Sequence, residues 1–186
     1  MRRDRGQQQH AVVPAAHVQP GAQRGPTRQP DQDRAGERPQ LGPRADQGAE
    51  TERALFAHLA DPATTAGFFD RVADDVSWTV EGTHPLAGHY TSEKDFTAAT
   101  FDRLGPLMRD GIRLEVRHLH VAGEITVAEL HATSVTLDGA PFDNGYCWVC
   151  RFDSARPDAR IVEVRAYLDS AMVAWTVDRN EPLRTG

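Results

Sequence analysis

The feature that most constrains the fold of this chain is a hydrophobic alternation with a period of two residues, which begins after Gly111. Ile112, Leu114 and Val116 alternate with charged residues, and three later segments repeat the alternation as far as Leu168. This period is typical of β-strands that bury one face. We therefore predict a meander of about four long strands. The predicted turns between them lie at Ala122-Gly123, Asp138-Gly139 and Pro157-Asp158.

The region before this meander has helical spacing instead. In the first helical segment, Leu55, Phe56 and Leu59 fall on one face. Helices that precede a run of strands predict an α+β fold, with three N-terminal helices packed against one curved antiparallel sheet. The predicted elements are helices over residues 49–60, 62–73 and 91–108, a short strand over 76–81, a loop over 82–90 and a closing helix over 170–177.

Residues 1–48 differ in composition from the rest of the chain. They contain no Phe, Tyr, Trp, Ile or Cys, every Gln and six of the twelve prolines. So little apolar material cannot offset the entropy lost on ordering. We therefore predict that residues 1–48 are a disordered or non-native N-terminal extension, that residues 49–180 form one domain, and that residues 181–186 are a C-terminal tail.

The charge of the predicted domain excludes several partners. Residues 1–48 carry eight Arg against five acidic residues, or +3, and residues 49–186 carry thirteen basic against twenty-two acidic residues, or −9. An acidic domain does not suit a phosphate backbone, so we expect no nucleic-acid partner. No apolar run has the length of a membrane span. We expect a cytoplasmic protein without a membrane partner.

Both cysteines, Cys147 and Cys150, lie in a C-x-x-C spacing within a segment that reads as a strand over 141–153. On a strand, residues three apart point to opposite faces and lie roughly 10 Å apart. A disulfide needs Cα atoms within about 7 Å, and a dithiol metal or redox site needs a tight turn or a helix start. We therefore predict two free cysteines, one on each side of a sheet.

The same strand places Asn144, Tyr146 and Trp148 on one face. An Asn and a Tyr on an otherwise apolar face are costly unless they form hydrogen bonds. Two interpretations stay open: these side chains bond each other or the backbone, or they point into a ligand cavity.

Four stretches of the sequence carry a family resemblance. They are Phe69-Asp70-Arg71-Val72-Ala73-Asp74-Asp75-Val76-Ser77-Trp78, Thr83-His84-Pro85-Leu86-Ala87-Gly88-His89-Tyr90, Asp143-Asn144-Gly145-Tyr146-Cys147 and Ile161-Val162-Glu163-Val164-Arg165-Ala166-Tyr167-Leu168-Asp169. Together they resemble the SnoaL-like, ketosteroid-isomerase-like group of the nuclear-transport-factor-two-like superfamily, over residues 50–180. The resemblance implies a cone-shaped sheet wrapped round three helices, a mainly apolar pocket for a small hydrophobic molecule, and a homodimer.

The known catalytic groups of such proteins do not transfer to this sequence. The hydrogen-bond donor and the general base of ketosteroid isomerases fall at Phe56 and near Val80, and the second oxyanion acid falls at Trp148. The trio of limonene-epoxide hydrolases falls at about His131, Thr133 and Ala166. We therefore expect an isomerase- or cyclase-type enzyme that uses other residues for acid–base chemistry on a hydrophobic carbonyl compound.

Candidate residues follow from chemistry and from these alignments. A Glu in an apolar pocket mouth has a raised pKa and can exchange protons near neutrality, as a histidine can. The catalytic candidates are therefore Glu81, His84 and His131. The competing interpretation is a solvated loop. The predicted substrate-binding residues are Phe56, Trp78, His89, Tyr90, His118, Asn144, Tyr146, Trp148 and Ala166.

Two alternative functions stay open. The first is a non-catalytic ligand-binding or dimerisation module. The second is a metal-binding protein, because His118 and His120 form an H-x-H pair followed by Glu124, which is close to the first metal motif of cupins. The downstream cupin motif is missing from the sequence, so the predicted site contains no metal and no cofactor.

Overall fold

The computed structural model describes residues 43–184. Most of the predicted extension, residues 1–42, lies outside this range. The first helix begins at Pro43, so residues 43–48 continue the helix that we predicted from residue 49. Residues 181–184, predicted as part of a tail, form a turn of 3₁₀-helix.

Five α-helices are present in the described part of the chain. Side chains cap two of them: Ser92 accepts from the Asp95 backbone N–H at 3.0 Å, and Asp169 accepts from the Ala171 and Met172 N–H groups. None of the described helices is long and apolar enough to cross a membrane. The helices are α1 (Pro43–Ala57), α2 (Ala66–Phe69), α3 (Glu93–Ala99), α4 (Phe101–Leu104) and α5 (Ser170–Asn180), with 3₁₀ turns at His58–Ala60, Gly105–Leu107 and Glu181–Arg184.

Within residues 43–184, six strands form one curved sheet in the order β2-β1-β6-β5-β4-β3. The α+β prediction is confirmed. The expectation of a wholly antiparallel sheet is wrong for one pair, because β6 returns beside β1 in the same direction after the meander. The strands are β1 (Val72–Val80), β2 (Gly88–Tyr90), β3 (Leu114–Ala122), β4 (Ile125–Val135), β5 (Pro141–Phe152) and β6 (Ile161–Leu168).

Three predicted boundaries need correction. Val72 and Ala73 belong to β1 rather than to the second helix, because Val72 pairs with Ile161 of β6. The apolar spacing there fits a strand as well as a helix, and tertiary pairing decides between them. Residues 88–90 form a short strand inside the predicted loop. The third helix divides at Thr100, whose φ of −121° and ψ of −76° are not helical.

A β-bulge interrupts β3. The pairing of β3 with β4 shifts between Val116 and His118, so Arg117 is the extra residue. Leu114 is buried before the bulge, whereas after it Leu119 is the half-buried residue and His118 and His120 are exposed. A one-residue shift exchanges the faces of every later side chain. The bulge therefore turns both histidines to the outer face of the sheet.

The core lies between the helices and the inner face of the sheet. The Trp78 ring stacks on Phe96, with ring centroids 3.7 Å apart and an interplanar angle of 14°. Trp148 meets Trp78 edge to face at 5.3 Å, and Phe56 meets Phe68 at 5.2 Å. Phe68 of α2 also contacts Trp148 at 5.8 Å, so these aromatic contacts join β1 and β5 to α1, α2 and α3.

Candidate functional site

A cavity of about 50 Å³ lies between the inner face of the sheet and helices α3, α4 and α5. Most of its walls are apolar, and among the described residues no Asp, Glu, Lys or Arg lines it. The lining residues are Trp78, Val80, His84, Leu86, Phe96, Thr100, Phe101, Leu104, Ile112, Leu114, Tyr146, Trp148, Ala166, Leu168 and Val173.

A small residue on the sheet contributes to this space. Ala166 of β6 lies between Val80 of β1 and Trp148 of β5 in the strand pairing. Its methyl group leaves room beside two larger neighbours on the same face of the sheet. A leucine at residue 166 would extend into the cavity.

Tyr146 brings a phenol to the cavity wall. Its side chain alternates inward with Asn144 and Trp148, as predicted from the sequence. No residue of the described chain forms a hydrogen bond with its hydroxyl. Burial raises the pKa of Tyr146 well above its usual value, so the phenol keeps its proton and can donate it to an acceptor.

Trp78 brings a second donor. The side chain is 0% exposed, and its indole Nε1–H has no hydrogen-bond partner among the described residues. Leaving such a donor without a partner costs about 1–3 kcal/mol. The Nε1 atom has less than 1 Å² of accessible surface, so it does not face open space in the cavity.

His84 is buried and neutral. Its Nδ1 lies 3.2 Å from the Leu86 N–H, from which it accepts, so Nε2 carries the proton and donates to the Glu81 carbonyl at 3.3 Å. Desolvation lowers the pKa of His84 below its usual 6.5. Both ring nitrogens are therefore engaged by the backbone.

The loop that carries His84 is fixed by a glycine and a tyrosine. Gly82 has a φ of +124°, and a Cβ at this residue would lie 2.1 Å from the Ser170 Oγ at the start of α5. The Tyr90 hydroxyl donates to the Leu86 carbonyl at 3.0 Å. Tyr90, a predicted substrate-binding residue, thus stabilises the loop through this hydrogen bond and does not line the cavity.

The three predicted catalytic residues do not come together. Of these, His84 lines the cavity. Glu81 is exposed at the end of β1. His131 lies on the outer face of the sheet, where its Nε2 is 2.5 Å from the Asp143 Oδ1. The three residues cannot act on one substrate in this arrangement.

The predicted substrate-binding residues divide in the same way. Trp78, Tyr146, Trp148 and Ala166 line the cavity together with His84. Phe56 is buried in the core away from the lining, and His89 is exposed, with its Nδ1 3.0 Å from the Thr79 Oγ1.

Asn144 and His118 also lie outside the cavity lining. Asn144 is fully buried and bonds the backbone of Asp169, which is the first of the two interpretations that the sequence left open. His118 lies on an open groove between α1 and β3.

Several lining residues were not predicted. Leu168 extends the closing strand, and Val173 belongs to α5. The alternation of β6 could have identified Leu168 as an inner residue. No sequence signal shows that α5 turns Val173 towards the cavity, because the direction of that helix depends on tertiary contacts.

The H-x-H pair does not form a metal centre. The His118 and His120 rings are 6.4 Å apart on the outer face, and the His120 Nε2 lies 3.9 Å from the Glu129 Oε1. Glu124 follows β3 in the turn to β4 and pairs with neither imidazole in the described structure. Within residues 43–184, no group of three or more His, Cys, Asp or Glu side chains could hold a metal ion.

The polar groups of the cavity are therefore mainly donors. The Thr100 hydroxyl donates to the Phe96 carbonyl at 2.7 Å, and His84 is engaged by the backbone. The Trp78 N–H has no partner among the described residues, and the Tyr146 hydroxyl is a further donor at the cavity wall. This arrangement suits an uncharged, largely apolar molecule that carries a hydrogen-bond acceptor.

Comparison with known proteins gives relatives at two levels of similarity. No family model matches the chain. The dimerizing cyclase phiC of a fungal species is 32% identical over 130 residues, which cover 68% of this chain and 55% of that protein. The chain thus spans about half the length of this curated relative.

Solved structures share the architecture at lower identity. A nuclear-transport-factor-two-like protein of Burkholderia thailandensis has a TM-score of 0.57 and 24% identity, over 69% of this chain and 95% of that one. TerC, co-crystallized with polyporic acid, has a TM-score of 0.53 and 18% identity, over 69% of this chain and 98% of its own. These likenesses concern the fold.

Proposed function

The chain has the nuclear-transport-factor-two-like fold, and on this premise we propose that it is a SnoaL-like protein that binds a small hydrophobic carbonyl compound in the cavity beneath α3, α4 and α5. The observation that carries the proposal is an apolar cavity that, within residues 43–184, has no charged lining residue and is lined by the protonated phenol of Tyr146. A carbonyl oxygen is an acceptor that this donor binds without any charge to neutralise.

We propose further that the protein is an enzyme of the isomerase or cyclase type. The fungal relative carries the name of a cyclase, and TerC was co-crystallized with polyporic acid. Tyr146 would polarise the substrate carbonyl by donating its phenolic proton into a hydrogen bond. A preorganised donor in a water-poor cavity stabilises negative charge that develops on such an oxygen.

Proton transfer in this enzyme would involve His84. Its Nδ1 accepts from the Leu86 N–H, so it becomes a base only when the loop over residues 82–87 releases that bond. Glu81 and His131 lie outside the cavity lining, and we assign them no role there.

A ligand-retention experiment tests the binding site. The protein is purified and denatured, and any released small molecule is identified by mass spectrometry. We expect an Ala166→Leu variant to lose that molecule, because the added side chain fills the cavity. Ala122→Leu adds the same volume at an exposed residue of β3 and should retain it. Equal retention by both variants contradicts a ligand in this cavity.

The alternative function is a non-catalytic binding module. It is favoured by the two backbone hydrogen bonds of His84, which leave the cavity lining without a free proton acceptor on a ring nitrogen. Incubation with the released molecule distinguishes the two functions, because a binding module returns that molecule unchanged whereas an enzyme converts it. Where conversion occurs, Tyr146→Phe should lower kcat.

We also propose a homodimer that forms through the outer face of the sheet. Glu129, Cys147 and Tyr167 lie side by side across β4, β5 and β6, and Tyr167 is 45% exposed. Half-buried Val127 and Val149 lie in the next row. Sedimentation velocity at micromolar concentration tests this, and a Tyr167→Glu variant should be monomeric. The cytoplasmic location remains a prediction.

A further inference from the structure

The loop over residues 82–87 forms one wall of the cavity beneath α3, α4 and α5. The side chains of His84 and Leu86 point inward from this loop, line the cavity and are 5% and 3% exposed. A volume of about 50 Å³ holds no more than a few water molecules. Because the surrounding side chains are close-packed, a larger molecule enters only when a wall moves.

A single arginine holds this loop from the outside. The Arg103 Nη1 donates to the Pro85 carbonyl at 3.1 Å, while its Nε and Nη2 donate to the two carboxylate oxygens of Glu181 at 2.5 and 3.2 Å. Glu181 begins the 3₁₀ turn that follows α5. The guanidinium of Arg103 therefore connects the loop, α4 and the C-terminal turn through charge-assisted hydrogen bonds.

The other hydrogen bonds described for the loop are shorter in range. The Tyr90 hydroxyl donates to the Leu86 carbonyl, and the His84 ring bonds the Glu81 carbonyl and the Leu86 N–H. Their partners all lie within residues 81–90, so these bonds determine the internal shape of the loop. The Arg103 bonds are different, because they tie the loop to helices that are distant from it in the chain.

We propose that the ion pair of Arg103 and Glu181 is a latch, which holds the loop over residues 82–87 against α4, and that its release opens the cavity. Both side chains of the latch are 36% exposed. Partly exposed ion pairs are weak enough to break and re-form in the native state. The opening itself needs no ligand, whereas its use for ligand entry rests on the proposed function.

Hydrogen exchange of the full chain, measured by mass spectrometry, tests the latch. Arg103→Met keeps a long apolar stem and removes all three hydrogen bonds, so peptides from residues 82–90 should exchange about fivefold faster. Arg160→Met is the matched control. Its guanidinium also joins a carboxylate, of Asp74 at 3.0 Å, to a backbone carbonyl, of Val72 at 2.7 Å, and it lies outside the cavity lining. Peptides from β5 should be unaffected in both variants, which separates local opening from a loss of global stability.

Thiol labelling tests whether the cavity opens together with the loop. Val173 is 1% exposed and lines the cavity, so Val173→Cys places a thiol of similar volume at the wall. Its alkylation by iodoacetamide, followed on the peptide that contains residue 173, requires an opening of the cavity. We expect alkylation about fivefold faster when Arg103→Met is added, and an unchanged rate when Arg160→Met is added.

Glu181→Gln tests the second half of the latch. It should accelerate exchange at residues 82–90 less than Arg103→Met does, because Arg103 keeps its bond to the Pro85 carbonyl. Added to Arg103→Met, it should cause no further acceleration, since the two side chains act as one unit. Additive effects of the two substitutions would contradict a shared latch.

Two results would overturn the inference. The first is equal exchange at residues 82–90 in Arg103→Met and the unaltered protein. The second is faster exchange of the loop with no change in labelling at residue 173, which would show that the loop moves without opening the cavity. Neither result alters the retention of a co-purified molecule, so the proposed function is judged separately by Ala166→Leu and its control.

Discussion

Asn144 of β5 and Asp169, the cap of α5, exchange two hydrogen bonds. The Asp169 backbone N–H donates to the Asn144 Oδ1 at 3.1 Å, and the Asn144 Nδ2 donates to the Asp169 carbonyl at 3.4 Å. The Asp169 side chain in turn caps α5. One fully buried amide thus fixes the start of the helix that carries Val173 to the cavity wall.

Asn144→Ala should destabilise the protein by about 2–3 kcal/mol, because the Asp169 N–H and C=O both lose their partner. Urea unfolding measures this change. Asp143→Ala, at the exposed neighbouring residue, removes a carboxylate that pairs with His131 at the surface. It should cost no more than about 1 kcal/mol. Equal losses in the two variants would show that the buried amide does not hold α5.

The two cysteines should react separately and never with each other. Cys147 is half-buried on the outer face and Cys150 is fully buried on the inner face, and both are free. Burial raises the pKa of both thiols, so alkylation is slow. Because the proposed dimer covers Cys147, the native Tyr167→Glu variant treated with iodoacetamide should carry one label, at Cys147, and the denatured variant two. A mass two daltons below that of the reduced chain would contradict this.

His84 should be neutral and protonated on Nε2 at neutral pH. Its imidazole should titrate with a midpoint below the usual value of 6.5, because burial opposes the charged form. Since the pKa is depressed in the folded state, the stability contributed by His84 is present above pH 6.5 and lost as the pH falls below it. Long-range ¹H–¹⁵N NMR spectra report both tautomer and midpoint. An Nδ1–H tautomer would contradict the hydrogen bonds described above.

Glu52 of α1 should make stability depend on pH with the opposite sign. The Thr126 hydroxyl donates to its carboxylate, but burial is the larger effect and raises the pKa of Glu52 above its usual 4.5. Its contribution is therefore fully present below pH 4.5 and is lost as the pH rises through the folded-state pKa.

Glu52→Gln should consequently become more stable relative to the unaltered protein as the pH rises above 4.5. Denaturant unfolding at several pH values measures this difference. Glu50→Gln removes the same charge at an exposed residue of α1 and is the charge-matched reference. A difference between Glu52→Gln and the unaltered protein that is constant with pH would contradict the assignment.

Short-range patterns predicted the sheet well because each strand buries one face. The alternation in β5 correctly placed Tyr146, Trp148 and Cys150 on the inner face, with Cys147 opposite. The turn at Asp138-Gly139 falls between β4 and β5 as predicted. These features depend on local periodicity, which the chain carries without reference to its neighbours.

The features that the sequence did not predict depend on tertiary contacts between residues that are distant in the chain. The bulge at Arg117 has no local signature, yet it decides that His118 faces outward. The exposure of Glu81 depends on where β1 ends against β6. The missing partner of the Trp78 N–H could be found only when every atom around it was known.

The two edge strands of the sheet also affect how this protein behaves at high concentration. β2 is three residues long, and β3, the opposite border, is bent by its bulge and carries Glu115, Arg117, His118 and His120. A strand from another chain would find few unpaired backbone N–H and C=O groups on a straight edge strand without charged side chains. Edge-to-edge polymerisation of sheets is therefore disfavoured, and the outer face of the sheet is the surface left for self-association.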